Sequence, residues 1–175
     1  MFSFDQSVSL ELNTYAYVHP FVRDTVVFCA AYLPYLLGIV LILFCLKGSV
    51  LSVSKMHVAL KAIFAGLTAR FVIKPIITFF YALPRPYVTL PDIHLLISPD
   101  ILEAQQSFPS GHALFFFGVA AVLYEYNKKI GIFFLISATI ISVARVMAGV
   151  HYGTDIFSGA AIGILVGIFF SKFVK

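Results

Sequence analysis

Five long apolar stretches, separated by short polar segments, dominate the pattern along this chain. They run approximately over Val26–Leu46, Val58–Tyr81, Gly111–Tyr126, Ile130–Val150 and Asp155–Phe173. A helix needs about 20 apolar residues to cross the hydrocarbon core of a bilayer, where every backbone polar group must be satisfied internally. The pattern therefore predicts an all-α integral membrane bundle with about five transmembrane helices, in a single domain over residues 1–175.

Two segments outside these stretches mix apolar and polar residues. Within residues 1–23, the part from Gln6 to Pro20 predicts an amphipathic helix lying in the membrane interface. A short cap over the bundle is the alternative. The part from Pro91 to Gln106 predicts a loop that contains a short surface helix. No cleavable signal peptide is expected, because acidic residues and no basic segment precede the first apolar stretch.

The composition agrees with a membrane protein and the charge distribution gives its orientation. Hydrophobic residues make up 61% of the chain and charged residues 11%, against about 45–50% and about 25% in soluble domains. The lysines that flank the spans on one side are Lys47, Lys55, Lys128, Lys129, Lys172 and Lys175. The opposite side carries Arg23, Arg85, Asp5, Glu11, Asp24, Asp92, Asp100 and Glu103. Because cytoplasmic loops are rich in lysine and arginine, the amino terminus is predicted outside and the carboxyl terminus inside. The net charge of +4 is thus explained by topology, and no nucleic-acid partner is expected.

Three short motifs carry ionisable residues at the ends of the apolar stretches. They are Pro84-Arg85-Pro86, Pro109-Ser110-Gly111-His112, and a run that contains Arg145, His151 and Asp155. Charged groups at membrane depth are costly and are therefore functional candidates. In the predicted topology all three motifs lie at the outer ends of their spans, so we expect them to meet in one extracytoplasmic patch.

The residue types in these motifs suit a tetrahedral phosphate. An arginine fork matches phosphate oxygens bidentately, and Gly111 at a helix start lets free backbone amides approach an anion. One histidine can act as a neutral nucleophile and the other as a protonated acid. Both forms are accessible near neutral pH, since imidazole has a pKa of about 6.5. Asp155 is positioned to accept the other ring proton of the nucleophile.

In these motifs the chain resembles the type 2 phosphatidic acid phosphatase superfamily, membrane lipid phosphatases related to vanadium haloperoxidases. The family pattern is K-x6-R-P, then P-S-G-H, then S-R-x5-H-x3-D. The second part is complete here, and the third is present as Arg145, His151 and Asp155. The resemblance spans roughly residues 74–155.

The resemblance implies a role for each motif residue. His151 would be the nucleophile that forms a phosphohistidine, Asp155 would orient it, and His112 would be the general acid for the leaving group. The residues that would bind the phosphoryl oxygens are Arg85, Arg145, Ser110, Gly111 and Lys74. The family works without a metal ion or another cofactor.

The chain departs from the family pattern at two positions. Ala144 precedes Arg145 where the pattern has serine, and Thr78 stands where it has lysine. Lys74 lies one helical turn before Thr78 and can extend toward the outer face, so it is the candidate replacement. Loss of this subsite is the alternative. Arg70, another turn earlier, is interpreted as pairing with the backbone or with lipid headgroups.

The resemblance further implies a membrane lipid phosphate as substrate. The chain looks similar to bacterial undecaprenyl-diphosphate phosphatases of this superfamily, which recycle a cell-wall carrier lipid in the bacterial inner membrane from the periplasmic or extracellular side. Phosphatidylglycerophosphate and lipid A phosphates are alternative substrates. A transporter or scaffold that binds an anionic lipid without cleaving it is the alternative of another class. The sequence indicates no oligomeric state.

Overall fold

The computed structural model describes residues 2–51, 53–99 and 104–173, with side chains except at residues 2–3, 44–51 and 53–55. Within these ranges the chain forms helices and loops and no β-strand. In chain order the helices are α1 (Phe2–Val18), α2 (Pro20–Val27), α3 (Leu33–Leu51), α4 (Val53–Thr68), α5 (Lys74–Phe80), α6 (Pro86–Thr89), α7 (Gly111–Tyr126), α8 (Lys128–Met147) and α9 (Gly153–Phe173). The prediction of an all-α bundle is confirmed.

Among the described residues, four helical stretches are long and apolar enough to cross a membrane. They are Pro20–Leu43, Met56–Phe80, Lys128–Met147 and Gly153–Phe173. Helix α7 is a shorter apolar helix of 16 residues, about 24 Å long at 1.5 Å per residue. These five elements correspond to the five predicted spans.

The start of the first span and the end of the fourth differ from the sequence-based prediction for local reasons. The first span begins at Pro20, six residues before Val26, because the extended His19 lets the proline occupy the first helical turn. The fourth span ends at Met147 instead of Val150, because Gly149 has a φ of +80°. That left-handed conformation terminates helices and favours glycine.

Each of the first two spans contains a π-helical turn. Phe28–Tyr32 joins α2 to α3, and Ala69–Ile73 joins α4 to α5. Pro34 and Pro75 follow these turns, and a proline supplies no N–H to the carbonyl four residues before it. The amide before each proline instead bonds the carbonyl five residues back, which is the π-helical pattern.

Helix α7 occupies the centre of the bundle, packed by α4, α8 and α9. Leu114, Val119 and Leu123 on this helix are completely buried. A Cβ atom at Gly163 of α9 would lie only 2.6 Å from the Leu114 carbonyl oxygen, so glycine permits the close approach of α9 to α7. This contact fixes the start of α7 beside the start of α9.

Helix α1 packs one face against the bundle. Ser9, Asn13 and Ala16 are buried on that face. The Asn13 amide nitrogen donates to the His94 and Met147 carbonyl oxygens, each at 2.8 Å. The helix therefore caps the bundle, as the alternative interpretation required, while Tyr15 and other aromatic residues on its opposite face are exposed. Its location in a membrane interface stays a prediction.

The predicted surface helix within Pro91–Gln106 is not found in the described parts of that segment. Residues 91–99 and 104–106 form turns, bends and extended backbone, and the short helix α6 lies upstream at Pro86–Thr89. The apolar positions of the segment do not form one helix face, because Leu96 and Ile97 turn toward the bundle and line a cavity. Asp100 and Glu103 lie outside the described residues.

Candidate active site

A cavity of about 510 Å³ lies at the end of the bundle where α7 and α9 begin and α8 ends. Its polar wall consists of Arg70, Arg85, Ser98, Gly111, His112, Arg145 and His151. Its apolar wall consists of Val27, Ala30, Ala31, Tyr32, Tyr35, Leu96, Ile97 and Val150. The three sequence motifs, spread over about seventy residues, thus meet in one cavity.

His151 and Asp155 form a buried pair directly behind the cavity wall. His151 Nδ1 lies 3.3 Å from Asp155 Oδ2, and both side chains are at most 1% exposed. Asp155 stands in the first turn of α9, where the partial positive charge of the helix start stabilises a carboxylate. With Nδ1 turned to the carboxylate, the Nε2 edge of the His151 ring is the one available to a ligand in the cavity.

Two further groups hold the Asp155 carboxylate. The Ser107 hydroxyl donates to Oδ2 at 2.5 Å, and the Tyr152 amide donates to the same oxygen at 2.8 Å. Ser107 Oγ is also 3.5 Å from His151 Nδ1. The sequence motifs gave no indication of Ser107. Its one trace in the sequence is its position two residues before the Pro-Ser-Gly-His motif.

Tyr152 connects the pair to helix α6. Its hydroxyl forms a 2.5 Å hydrogen bond with Thr89 Oγ1. Burial raises the pKa of the Tyr152 phenol above its usual value, and the hydrogen bond with Thr89 partly offsets this effect. The side chain is therefore a neutral phenol near neutral pH and acts in a structural hydrogen bond.

His112 stands in the first turn of α7, against the guanidinium of Arg70. Arg70 Nη1 is 3.5 Å from His112 Nδ1. An arginine can only donate, so in this contact Nδ1 is the acceptor and Nε2 carries the proton of the neutral ring. The interpretation of Arg70 as a backbone or headgroup partner is wrong, because its side chain lines the cavity and contacts a candidate acid.

Arg85 and Arg145 both line the cavity, and each donates a hydrogen bond to a backbone carbonyl. Arg85 Nη1 donates to the Val150 carbonyl oxygen at 3.5 Å. Arg145 Nη1 donates to the Ala30 carbonyl oxygen at 3.4 Å. That carbonyl lies four residues before Pro34, which has no N–H to donate to it in the α-helical pattern, and it accepts from Arg145.

Gly111, at the start of α7, lies next to the side chains of Arg70 and Lys74. A Cβ atom at this position would lie 3.2 Å from Arg70 Nη1 and 3.5 Å from Lys74 Cδ. Lys74 is only 4% exposed, so its side chain points toward this helix start and not toward solvent. Thr78, at the family lysine position, donates instead to the Phe108 carbonyl oxygen at 3.3 Å.

Ser110 precedes α7 as its N-cap residue. Its side chain makes no capping hydrogen bond, and Oγ is buried without a hydrogen-bond partner among the described residues. Its backbone amide donates to the Asp155 carbonyl oxygen at 3.1 Å. The starts of α7 and α9 are therefore tied together, and the Ser110 hydroxyl is left as a donor beside Gly111.

In the part of the chain that the structure describes, no three His, Cys, Asp or Glu side chains lie close enough together to hold a metal ion. The expectation that the reaction needs no metal or cofactor stays a prediction.

Known proteins with similar sequences and structures give an independent view of this site. A bacitracin transport permease protein, BcrC, from Bacillus licheniformis is 28% identical over 90% of this chain and 74% of its own length. The lipid A 1-diphosphate synthase of Escherichia coli is 33% identical over 47% of this chain and 37% of its own length. The phosphatidylglycerophosphatase B of Bacillus subtilis is 29% identical over 39% of each chain.

The solved structure of LpxE from Aquifex aeolicus superposes on this chain with a TM-score of 0.76 and 28% sequence identity, covering 95% of this chain and 94% of that one. The chain matches the PAP2 superfamily over residues 58–175, which include all the cavity arginines and histidines. It therefore belongs to the PAP2 superfamily and is a multi-pass membrane phosphatase that acts on lipid phosphates.

Proposed function

We propose that this protein hydrolyses undecaprenyl diphosphate to the monophosphate and phosphate, through a phosphohistidine, on the extracytoplasmic face of a bacterial inner membrane. The observation that carries the proposal is one cavity lined by three arginines and by two histidines, His112 at the start of α7 and His151 in the loop between α8 and α9. A nucleophile held by a carboxylate, an acid on a different helix and a set of phosphate ligands are the parts that this reaction requires.

In the first step His151 Nε2 attacks the terminal phosphorus. The bond from that phosphorus to the bridging oxygen breaks, and the bridging oxygen leaves with the electron pair and takes a proton from His112. Asp155 accepts the Nδ1 proton in a hydrogen bond, which fixes the tautomer and balances the charge that develops on the His151 ring. The product of this step is lipid monophosphate and a phosphohistidine.

In the second step water attacks the phosphohistidine phosphorus, and the phosphorus–nitrogen bond breaks. His112 takes a proton from the water, which restores both imidazoles and releases inorganic phosphate. His112, whose ring is neutral in its contact with Arg70, must take up a proton before it can act as the acid, whereas His151 must stay neutral to attack. We therefore expect a bell-shaped dependence of kcat/KM on pH.

Positioned cations supply the stabilisation of the phosphoryl oxygens. Arg85 and Arg145 both line the cavity, and each is bonded to a backbone carbonyl at 3.4–3.5 Å, which holds its guanidinium in place. The Ser110 hydroxyl and the amides at the start of α7 add further donors near Gly111. Preorganised donors of this kind account for much of the rate in phosphoryl transfer.

Several observations support a prenyl diphosphate as the substrate. Tyr32 and Tyr35 line the cavity and are 59% and 74% exposed, so a lipid chain in the bilayer can leave the cavity between apolar side chains. The sequence resembles undecaprenyl-diphosphate phosphatases in these same residues. Phosphatidylglycerophosphate and lipid A phosphates are the alternative substrates, because relatives from Bacillus subtilis and Escherichia coli are named for such lipids.

A second candidate function is transport of an anionic lipid or a lipid-bound compound. It is favoured by the name of the Bacillus licheniformis relative, a transport permease. Transport would use the cavity arginines but gives no reason for a buried histidine–aspartate pair beside a second histidine.

The experiment that tests the proposal is phosphate release from a panel of lipid phosphates in detergent, with a chelator present. We expect undecaprenyl diphosphate to be the preferred substrate and the variant His151→Ala to have no measurable turnover. His57→Ala, which changes a histidine that does not line the cavity, is the matched control and should retain wild-type activity. Equal turnover by His151→Ala and the wild type would refute the phosphohistidine, and a requirement for added Mg²⁺ would refute the metal-free reaction.

A further inference from the structure

We propose that Arg70 binds the lipid-linked phosphoryl group of a diphosphate and thereby makes the site selective for lipid diphosphates over lipid monophosphates. This inference rests on the phosphohistidine reaction proposed above. It concerns a residue that lies outside the three family motifs and in the middle of an apolar helix.

Arg70 lies in the part of the cavity where the leaving group of the reaction must be. Its guanidinium lies 3.5 Å from the Nδ1 atom of His112, the proposed acid, and it lines the cavity. The acid must stand beside the oxygen that leaves. A cation in contact with the acid is therefore close to whatever the leaving oxygen is attached to.

The motif arginines are held differently. Arg85 is bonded to the carbonyl of Val150, the residue before the nucleophile. Arg145 is bonded to the Ala30 carbonyl. Both line the cavity and serve the transferred phosphoryl group that every substrate carries, so the cation at Arg70 is additional to the motif arginines.

The nature of the leaving group decides whether that additional cation can contribute. From a lipid monophosphate the leaving group is an alcohol, which is neutral once His112 has protonated its oxygen. From a lipid diphosphate it is a phosphate monoester, which still carries one negative charge after His112 has protonated its bridging oxygen and about 1.5 to 2 once released near neutrality. Arg70 can stabilise the second leaving group through a charge-assisted hydrogen bond but has no charge to bind on the first.

The local backbone explains why Arg70 can reach this place. It belongs to the π-helical turn Ala69–Ile73, where the helix is wider than an α-helix and its side chains are rotated relative to a regular helix. Gly111 leaves room for the guanidinium, since a Cβ atom there would lie 3.2 Å from Arg70 Nη1. The π-helical turn and the glycine together admit a guanidinium beside His112.

The test compares Arg70→Gln with the wild type on two probes that share one lipid chain, farnesyl diphosphate and farnesyl monophosphate, in detergent. For the diphosphate we expect kcat/KM to fall by about 10²–10³, the usual effect of losing one such donor. For the monophosphate we expect a much smaller fall in kcat/KM, because only the contact of Arg70 with His112 is lost. Lys61→Gln, a cation on the same span that does not line the cavity, is the matched control and should not change either value.

A second measurement, inhibition by each reaction product, distinguishes a specific effect of the substitution from a loss of folding. In Arg70→Gln, inhibition by farnesyl monophosphate should weaken, whereas inhibition by inorganic phosphate should persist at the wild-type level. Arg70→Lys keeps the charge without the planar fork, so it should lie between the wild type and Arg70→Gln on the diphosphate.

The outcomes separate the two proposals. If Arg70→Gln loses activity equally on both probes, or on neither, the selectivity role of Arg70 is overturned while the reaction itself stands. If the wild-type protein hydrolyses farnesyl monophosphate and not the diphosphate, the proposed diphosphatase function fails with it. That second result is read from the wild type alone and cannot be confused with the first.

Discussion

The Asp155 carboxylate receives its donors at a single oxygen. Ser107, the Tyr152 amide and His151 all meet Oδ2, whereas Oδ1 has no hydrogen-bond partner among the described residues. The orientation of the carboxylate, and with it the orientation of the His151 ring, therefore depends on the Ser107 hydroxyl.

We expect Ser107→Ala to lower kcat while leaving the fold intact. A hydrogen bond to a charged group contributes about 1.5–3 kcal/mol, which corresponds to roughly tenfold to a hundredfold in rate if the effect falls on the transition state. Initial rates on a lipid diphosphate measure the change. Ser137→Ala, which removes a hydroxyl bonded within α8 at 2.9 Å, is the control and should leave kcat unaltered. A wild-type kcat in Ser107→Ala would mean that the backbone alone orients Asp155.

At the residue scale, the sequence identified the site residues that belong to one of the three motifs. It missed the site residues that lie outside the motifs. Arg85, Gly111, His112, Arg145 and His151 all line the cavity as expected from their positions at the ends of the spans. Arg70 was assigned elsewhere and Ser107 was not considered. Their contribution depends on a π-helical turn and on a loop whose path brings a serine to α9, and neither has a periodic signal in a single sequence.

At the scale of elements, α1 holds the wall of the cavity in place. Asn13 bridges the loop at His94 to the end of α8 at Met147, and Tyr17 stacks on the His94 ring with centroids 3.7 Å apart. Residues 96–98 of the same loop line the cavity. The amino-terminal helix thus positions a wall of the site without contributing a side chain to it.

Replacing Asn13 by alanine should therefore affect both stability and substrate binding. The change removes the side-chain partner of the His94 amide, the His94 carbonyl and the Met147 carbonyl, all in part-buried hydrogen bonds that each contribute about 0.5–1.5 kcal/mol. We expect a lower Tm in detergent and a higher KM with a smaller effect on kcat. Glu11→Ala, at an exposed position of α1, is the control and should match the wild type. An unchanged Tm and KM in Asn13→Ala would show that the loop holds its position without α1.

The contact between α7 and α9 gives a second prediction at this scale. Gly163→Ala introduces a methyl group 2.6 Å from the Leu114 carbonyl oxygen, so the two helices must separate. Overpacking of this kind costs about 1–3 kcal/mol. Thermal unfolding in detergent should show a reduced Tm, with activity reduced as well because the starts of the two helices carry His112 and Asp155. Gly38→Ala, where the new Cβ would meet nothing within 4 Å, should be tolerated. Equal melting temperatures for the two variants would contradict this account.

The presence of each membrane-spanning helix could be predicted from the hydrophobic pattern. The local departures from α-helical geometry within the helices could not. The five spans were recognised because apolar composition depends on the membrane and not on tertiary contacts. The π-helical turns were missed, although Pro34 and Pro75 are visible in the sequence, because a proline in a helix can also cause a kink or a break. The surface helix expected within Pro91–Gln106 is not found in residues 91–99 and 104–106, where Leu96 and Ile97 line the cavity instead of forming one helix face.

At the scale of the whole molecule, the cavity and the lysine-rich connections occupy opposite ends of the bundle. Helices α7 and α9 both begin at the cavity and run away from it. Lys128 and Lys129 follow the far end of α7, and Lys172 lies in the last turn of α9. Lys47, Lys55 and Lys175, which also support the predicted orientation, lie outside the described side chains.

This separation leads to a prediction about the face on which the site lies. Lysines beside membrane spans favour the cytoplasmic side, so the opposite end, with the cavity, should face outward. The exposed positions Asp92, in the loop at the cavity end, and Lys128, at the far end, can each be changed to cysteine after Cys29 and Cys45 are replaced by serine. In intact cells a membrane-impermeant maleimide should label Asp92→Cys and leave Lys128→Cys unlabelled, whereas permeabilised cells should label both. Phosphate release by both variants confirms that the labelled proteins are folded. The reverse labelling pattern would assign the cavity to the cytoplasm, and a lipid diphosphate of the outer leaflet could then no longer be its substrate.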